Sequence, residues 1–181
     1  MFPGQFPSTL SVPERYEAHT FTLEDEQLHI IEQGRTDAVD STSLHVPSID
    51  LVVAGDVVYN RCHMFVAATI AESRDNWLEA LDRLSALDPR TVVAGHKKPG
   101  APDTPDAIAA SKRYLTDFSS LTDSTSSDQE LFDAMTDLYP GLGLSPGMAH
   151  VRILNRSIHR RVRVGFSGCA ITERHPPMAL R

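Results

Sequence analysis

Two short, valine-rich runs constrain this chain more than any other feature. Leu51–Val52–Val53–Ala54 and Thr91–Val92–Val93–Ala94 each stop at a glycine followed by a polar residue, giving Gly55–Asp56 and Gly95–His96. Such a run, four residues long with β-branched side chains, reads as a strand buried on both faces. Between the two runs, Ser73 can cap a helix reaching about Leu87. Trp77, Leu81 and Leu84 fall at i, i+4 and i+7 on that helix and make one apolar stripe, and Pro89 follows its end. A strand, an amphipathic helix and a second buried strand form the unit from which α/β domains are built.

The flanking sequence extends this pattern. Residues 1–15 are rich in Pro, Gly and Ser and read as an irregular arm. Phe21–Leu23 and Leu28–Glu32, divided by Glu24–Asp25–Glu26, read as a hairpin. A polar stretch from Gly34 to Ser43 leads to Leu44–Val46 and a turn at Pro47–Ser48. Thr104–Pro105–Asp106 combines a cap, a proline at the first helical position and an acidic first turn, starting a helix that buries Ile108, Leu115 and Phe118. Ser119 to Ser127 reads as a Ser/Thr-rich linker. Ser127 and Glu130 then fit a capping box ahead of the stripe Leu131, Met135 and Leu138. The pattern from Leu44 to Phe118 is an α/β arrangement, and residues 1–150 are expected to be the domain, a partial one, that contains it. Beyond Gly147 the amphipathic order is lost; Val162, Val164 and Phe166 admit one short strand, and residues 151–181 read as a basic, poorly ordered tail.

Charge separates the same two regions. The chain carries a net charge of −7, yet residues 151–181 hold seven Arg against one Glu. The body is acidic enough to exclude polyanion binding, and the tail lacks the aromatic interleaving of a nucleic-acid surface. Two distant cysteines, Cys62 and Cys169, make neither a disulfide framework nor a cysteine zinc site. No apolar run approaches the ~18 residues of a membrane helix, and the first residues show no secretory signal. The expected compartment is the cytoplasm.

Asp56 and His96 are the candidate chemistry. Sites in open α/β sheets form at the C-terminal edges of strands, and Asp and His both suit Zn²⁺. The residues alone equally admit a loop-capping Asp and a satisfied turn His. Their order and surroundings go further. Gly34–Arg35–Thr36–Asp37, Leu44–His45–Val46–Pro47, Ala54–Gly55–Asp56–Val57–Val58–Tyr59–Asn60 and Val93–Ala94–Gly95–His96 resemble, in sequence order, the second half of the metallo-β-lactamase superfamily. That half has a Gly-His-Thr motif, a strand ending in proline, a Gly-Asp pair, a helix and a final Gly-His. The resemblance covers roughly residues 1–140. Phe2–Pro3–Gly4–Gln5 is also similar to a segment preceding the Gly-His-Thr motif in one branch.

The resemblance implies the C-terminal half of a four-layer αββα sandwich whose zinc centre lies between two sheets. Asp56 matches the carboxylate that bridges the metals, and His96 the last histidine ligand. Such a centre lowers the pKa of bound water toward about 7 and polarises a carbonyl for hydrolysis of small-molecule substrates. Two departures qualify the match. The leading His-x-His-x-Asp-His motif is absent, so the chain reads as truncated. Arg35 stands where the family has a ligand histidine, and a guanidinium has no lone pair to give.

Several residues are weaker candidates. His63 could line the site's mouth or sit in a solvent-exposed loop, and Lys97 could orient an anionic substrate or form a solvated basic turn with Lys98. Asp37 could pair with Arg35, support the site or stabilise a turn. Cys62 reads as structural, and Trp77 as a core anchor. The reading is a metal-dependent hydrolase domain, weak or inactive alone. Its alternative is a non-catalytic remnant acting as an interaction module, with self-association through an exposed sheet face.

Overall fold

The computed structural model describes residues 9, 11–12, 14, 16–66 and 69–143. The 2–5 segment, Cys169 and the tail at 151–181, with its strand expectation at 162–166, lie outside the described residues.

The described residues form one five-stranded sheet, ordered β1 (Thr20–Leu23), β2 (Glu26–Gly34), β3 (Ser41–Val46), β4 (Leu51–Asn60) and β5 (Thr91–Lys97). Helices α1 (Ala71–Ser85), α2 (Asp106–Ser124) and α3 (Asp128–Leu138) complete the α/β architecture. Strands β1 to β4 run antiparallel in sequence, and β5 lies parallel to β4. The hairpin between β1 and β2 closes at Glu24 and Asp25, with φ of 50° and 68°. A two-residue turn with both φ positive matches the twist of its strands. A parallel neighbour requires a crossover, and α1 supplies it between β4 and β5.

One face of the sheet meets the helices. Val52, Ala54, Val92 and Ala94 project into a buried cluster with Trp77, Leu81, Leu84, Ile108, Leu115 and Phe118. Arg74 of α1 is buried there too. Its guanidinium donates to Ser119 Oγ at 2.9 Å and Thr69 Oγ1 at 3.4 Å and lies over the Phe118 ring. These contacts answer donors that would otherwise be costly to bury. No helix among the described residues is long and apolar enough to cross a membrane.

Four local expectations are corrected. The valine-rich strands are covered on one face only. Burial alternates along β5, and Val53 of β4 is 37% exposed, as expected where helices cover a single side. The same strands run past their apolar cores, so Asp56 and His96 lie inside β4 and β5 and not beyond them. Ser73 is the third residue of α1, where its hydroxyl accepts from the Ile70 amide. Most of the Ser/Thr stretch after Phe118 is the last part of α2. There Ser120, Thr122 and Ser124 bond back to carbonyls four residues earlier, satisfying their hydroxyls within the helix. The capping box at Ser127 and Glu130 is present, and Leu131 and Met135 are buried, while Leu138 is 52% exposed.

Trp77 joins helix to sheet. It is fully buried, and its Nε1 donates to the Val57 carbonyl at 2.8 Å. Trp77→Ala is expected to lower unfolding free energy by about 3–5 kcal/mol through the lost volume. Trp77→Phe should cost about 1–3 kcal/mol by orphaning the Val57 carbonyl. Urea denaturation measures both, and a loss below about 1 kcal/mol for Trp77→Ala would contradict this packing.

Candidate metal centre

The centre begins with a register break. Gly55 pairs with Ala94, and the next pair is Tyr59 with His96. Strand β4 therefore uses four steps where β5 uses two, and Asp56 to Val58 bulge from the ladder. Gly55 enters the bulge at φ +57°, a left-handed conformation open to glycine at little cost. The helices satisfy backbone groups that the bulge frees. Trp77 takes the Val57 carbonyl, and Ser111 Oγ of α2 meets both the amide and the carbonyl of Tyr59, at 3.1 Å each.

The bulge lays Asp56 across Gly95. A Cβ on Gly95 would stand 2.1 Å from Asp56 Oδ1 and 2.7 Å from the Gly55 carbonyl carbon, distances that real Cβ atoms do not tolerate. Beside this contact, His96 Nε2 lies 3.4 Å from Asp56 Oδ1, with both side chains about half exposed. Two ligands bound at about 2.0–2.2 Å around a tetrahedral ion stand about 3.3–3.6 Å apart. The pair is therefore spaced as two corners of a zinc coordination shell.

A polar wall supports the pair. The Tyr59 ring stacks on the His96 imidazole, with centroids 4.7 Å apart and planes 23° from parallel. The Tyr59 hydroxyl donates to Asp37 Oδ2 at 3.4 Å. Burial, then the charges of Asp37 and Asp56, hold that hydroxyl far above the usual phenol range, so it remains a donor. Burial, followed by the Asp56 charge, also pushes the Asp37 carboxyl above its usual range. Asp37 further accepts from Thr36 Oγ1 at 3.2 Å, and Thr36 Oγ1 lies 2.6 Å from Ser41 Oγ. Asp37 thus stabilises its turn and supports the site. Tyr59 is the participant that sequence reasoning missed, because its place opposite His96 depends on the bulge.

The Gly34–Arg35–Thr36 segment is pinned to α1 by its backbone. Asn76 Nδ2 donates to the carbonyls of Gln33 and Arg35, at 3.1 and 2.6 Å. The Arg35 residue is exposed, and its side chain supplies a charge and no donor atom for a metal. Among the described residues, no group of three or more His, Cys, Asp and Glu side chains is placed to hold a metal ion. Catalytic zinc sites use three protein ligands. The residues present fit two corners of such a site and do not complete it.

The other candidates lie elsewhere. His63, considered for the mouth, is 2% exposed, and its Nδ1 lies 3.1 Å from the Tyr114 hydroxyl. Burial lowers its proton affinity, and a ring packed among core side chains cannot line an opening. Lys97 binds both oxygens of Asp103, at 2.8 and 2.9 Å, so its charge is matched within the chain. Lys98 donates to the Gly141 carbonyl. Cys62 Sγ lies 3.4 Å from the His96 carbonyl, its thiol pushed up by burial, which suits a structural role.

A family model for the metallo-beta-lactamase superfamily matches residues 3–96. Among solved structures, the chain is similar to a metallo-beta-lactamase family protein of Thermus thermophilus, with 18% identity and a TM-score of 0.52, over 87% of this chain and 51% of that one. It is also similar to a metallo-beta-lactamase from Pontibacter korlensis, with 18% identity and a TM-score of 0.46, over 56% and 47% of the two chains. The chain thus spans about half the length of these structures. Comparison with curated proteins gives no match.

Because Gly95 admits Asp56 so closely, Gly95→Ala is expected to destabilise the chain by about 1–3 kcal/mol or more, as overpacked sites do. It should also separate Asp56 from His96. Thermal denaturation and the His96 imidazole NMR signals check this, and an alanine variant unchanged in both would contradict the close approach.

Proposed function

This chain belongs to the metallo-beta-lactamase superfamily, and on that premise we propose that it is a metal-dependent hydrolase domain reduced to two metal donors, Asp56 and His96. It binds zinc weakly and acts poorly or not at all on a small-molecule substrate. The observation that carries this reading is the 3.4 Å separation of His96 Nε2 and Asp56 Oδ1, the edge length of a tetrahedral shell. Arg35 at a ligand position and the missing His-x-His-x-Asp-His motif together account for the weakness. The loop holding Arg35 leads to Asp37, which accepts from the Tyr59 hydroxyl beside His96, and this supports placing an imidazole at position 35 near the pair.

A second reading, a non-catalytic interaction module, is favoured by one observation. Val53 is 37% exposed on the sheet face that the helices leave open, where a second copy could pair. Under that reading the chain self-associates without metal.

The experiment is zinc analysis of the purified protein and its Arg35→His variant. The wild type should retain well under stoichiometric zinc. Arg35→His should raise zinc affinity by about tenfold or more by supplying a third protein ligand, and His96→Ala in the same background should remove the gain. An Arg35→His variant with unchanged zinc affinity would overturn the assignment of position 35 to the metal centre.

A further inference from the structure

Two histidines outside the Asp56–His96 centre face each other across the sheet. His29 of β2 pairs directly with His45 of β3, and the same cross-strand row continues to Val52 of β4 and Val92 of β5. The valines are fully buried, whereas both histidines are half-buried at the margin of that row. Their ring centroids are 6.0 Å apart, with planes inclined at 51°. Among the described residues neither ring has a hydrogen-bond or ion-pair partner. Two imidazoles with their nitrogens uncommitted, on directly paired positions of adjacent strands, are close enough for one ion to reach both rings.

We propose that His29 and His45 form a second metal site, a two-imidazole chelate for Cu²⁺. With metal–nitrogen bonds of about 2 Å, two imidazoles on one ion place their centroids about 4.5–6.3 Å apart, and the observed spacing falls within that range. Two protein donors hold Zn²⁺ only weakly. Cu²⁺ stands at the head of the divalent affinity order and accepts tetragonal nitrogen and oxygen ligation, with water able to fill the remaining positions. The surroundings also suit a cation. Burial and the neighbouring His29 lower the proton affinity of His45, partly offset by the Asp50 carboxylate at the turn after β3. A metal-binding imidazole must be neutral, and Asp50 contributes negative charge nearby. The site lies four residues back along β4 from Asp56 by register, so it does not depend on the zinc reading.

The test is a Cu²⁺ titration of the full chain at neutral pH, followed by electron paramagnetic resonance and by competition for affinity. The wild type should show a tetragonal Cu²⁺ signal with coupling to two imidazole nitrogens. His29→Gln and His45→Gln, which keep a polar side chain on the strand, should each weaken binding by about tenfold or more, at least the loss caused by removing an outer-shell partner of a metal ligand. Circular dichroism confirms that both variants are folded. His96→Ala should leave this signal intact. A folded double Gln variant that binds Cu²⁺ like the wild type would overturn the proposal, as would loss of the signal in His96→Ala. The first outcome leaves zinc at Asp56 and His96 untouched, and the second would place the copper at His96.

Discussion

The structure depends on a missing atom. Because Gly95 carries no Cβ, the bulged turn of β4 can lie on β5, and Asp56 can reach the side of His96. The bulge breaks ladder hydrogen bonds, a cost to be met elsewhere when the groups are buried. Trp77 and Ser111 meet it from two different helices. The crossover helix α1 therefore makes β5 parallel to β4, anchors the core through Trp77 and fixes the backbone beneath the candidate metal centre. Site and core share the same residues, so stability and site geometry are coupled in this chain.

The centre is well supported yet poor in donors. Thr36, Asp37 and Tyr59 form a polar chain that ends on the face of His96. Such partners orient a metal ligand and are half of a functional site. Beside them stand the candidate donors Asp56 and His96, and among the described residues no group of three or more His, Cys, Asp and Glu side chains is placed to hold a metal ion. A compact carboxylate–imidazole pair can keep its geometry without an ion, because each group partners the other. The Asp56–His96 geometry can thus persist in the superfamily's fold whether or not an ion is bound.

Periodicity made much of the fold legible. The stripe Trp77, Leu81 and Leu84, the hairpin at Glu24–Asp25 and the capping box at Ser127 are local patterns with local causes, and the structure contains each of them. What sequence could not show was nonlocal. Nothing around His63 distinguishes a loop histidine from one bonded to Tyr114, which lies 51 residues away. The role of Tyr59 depends on register, and the register depends on a bulge that Gly55 permits but does not announce. The hydroxyl-rich end of α2 resembled a linker because Ser and Thr usually compete with helix backbone; here they bond to it instead. Asp56 and His96 became a pair in the sequence only through the order of neighbouring motifs, and the structure adds the physical reason they meet.

On the proposed function, Asp56 and His96 are preset as a two-donor metal pair. Nitrogen-15 NMR of the His96 imidazole during a Zn²⁺ titration tests it most directly. The Nε2 resonance is expected to shift progressively under excess Zn²⁺, to recover on chelation, and to cease responding in Asp56→Asn. Two results would contradict it. One is a His96 signal indifferent to excess Zn²⁺, which would make the pair purely structural. The other is a stoichiometric complex that survives chelation, which would require donors beyond the two named here.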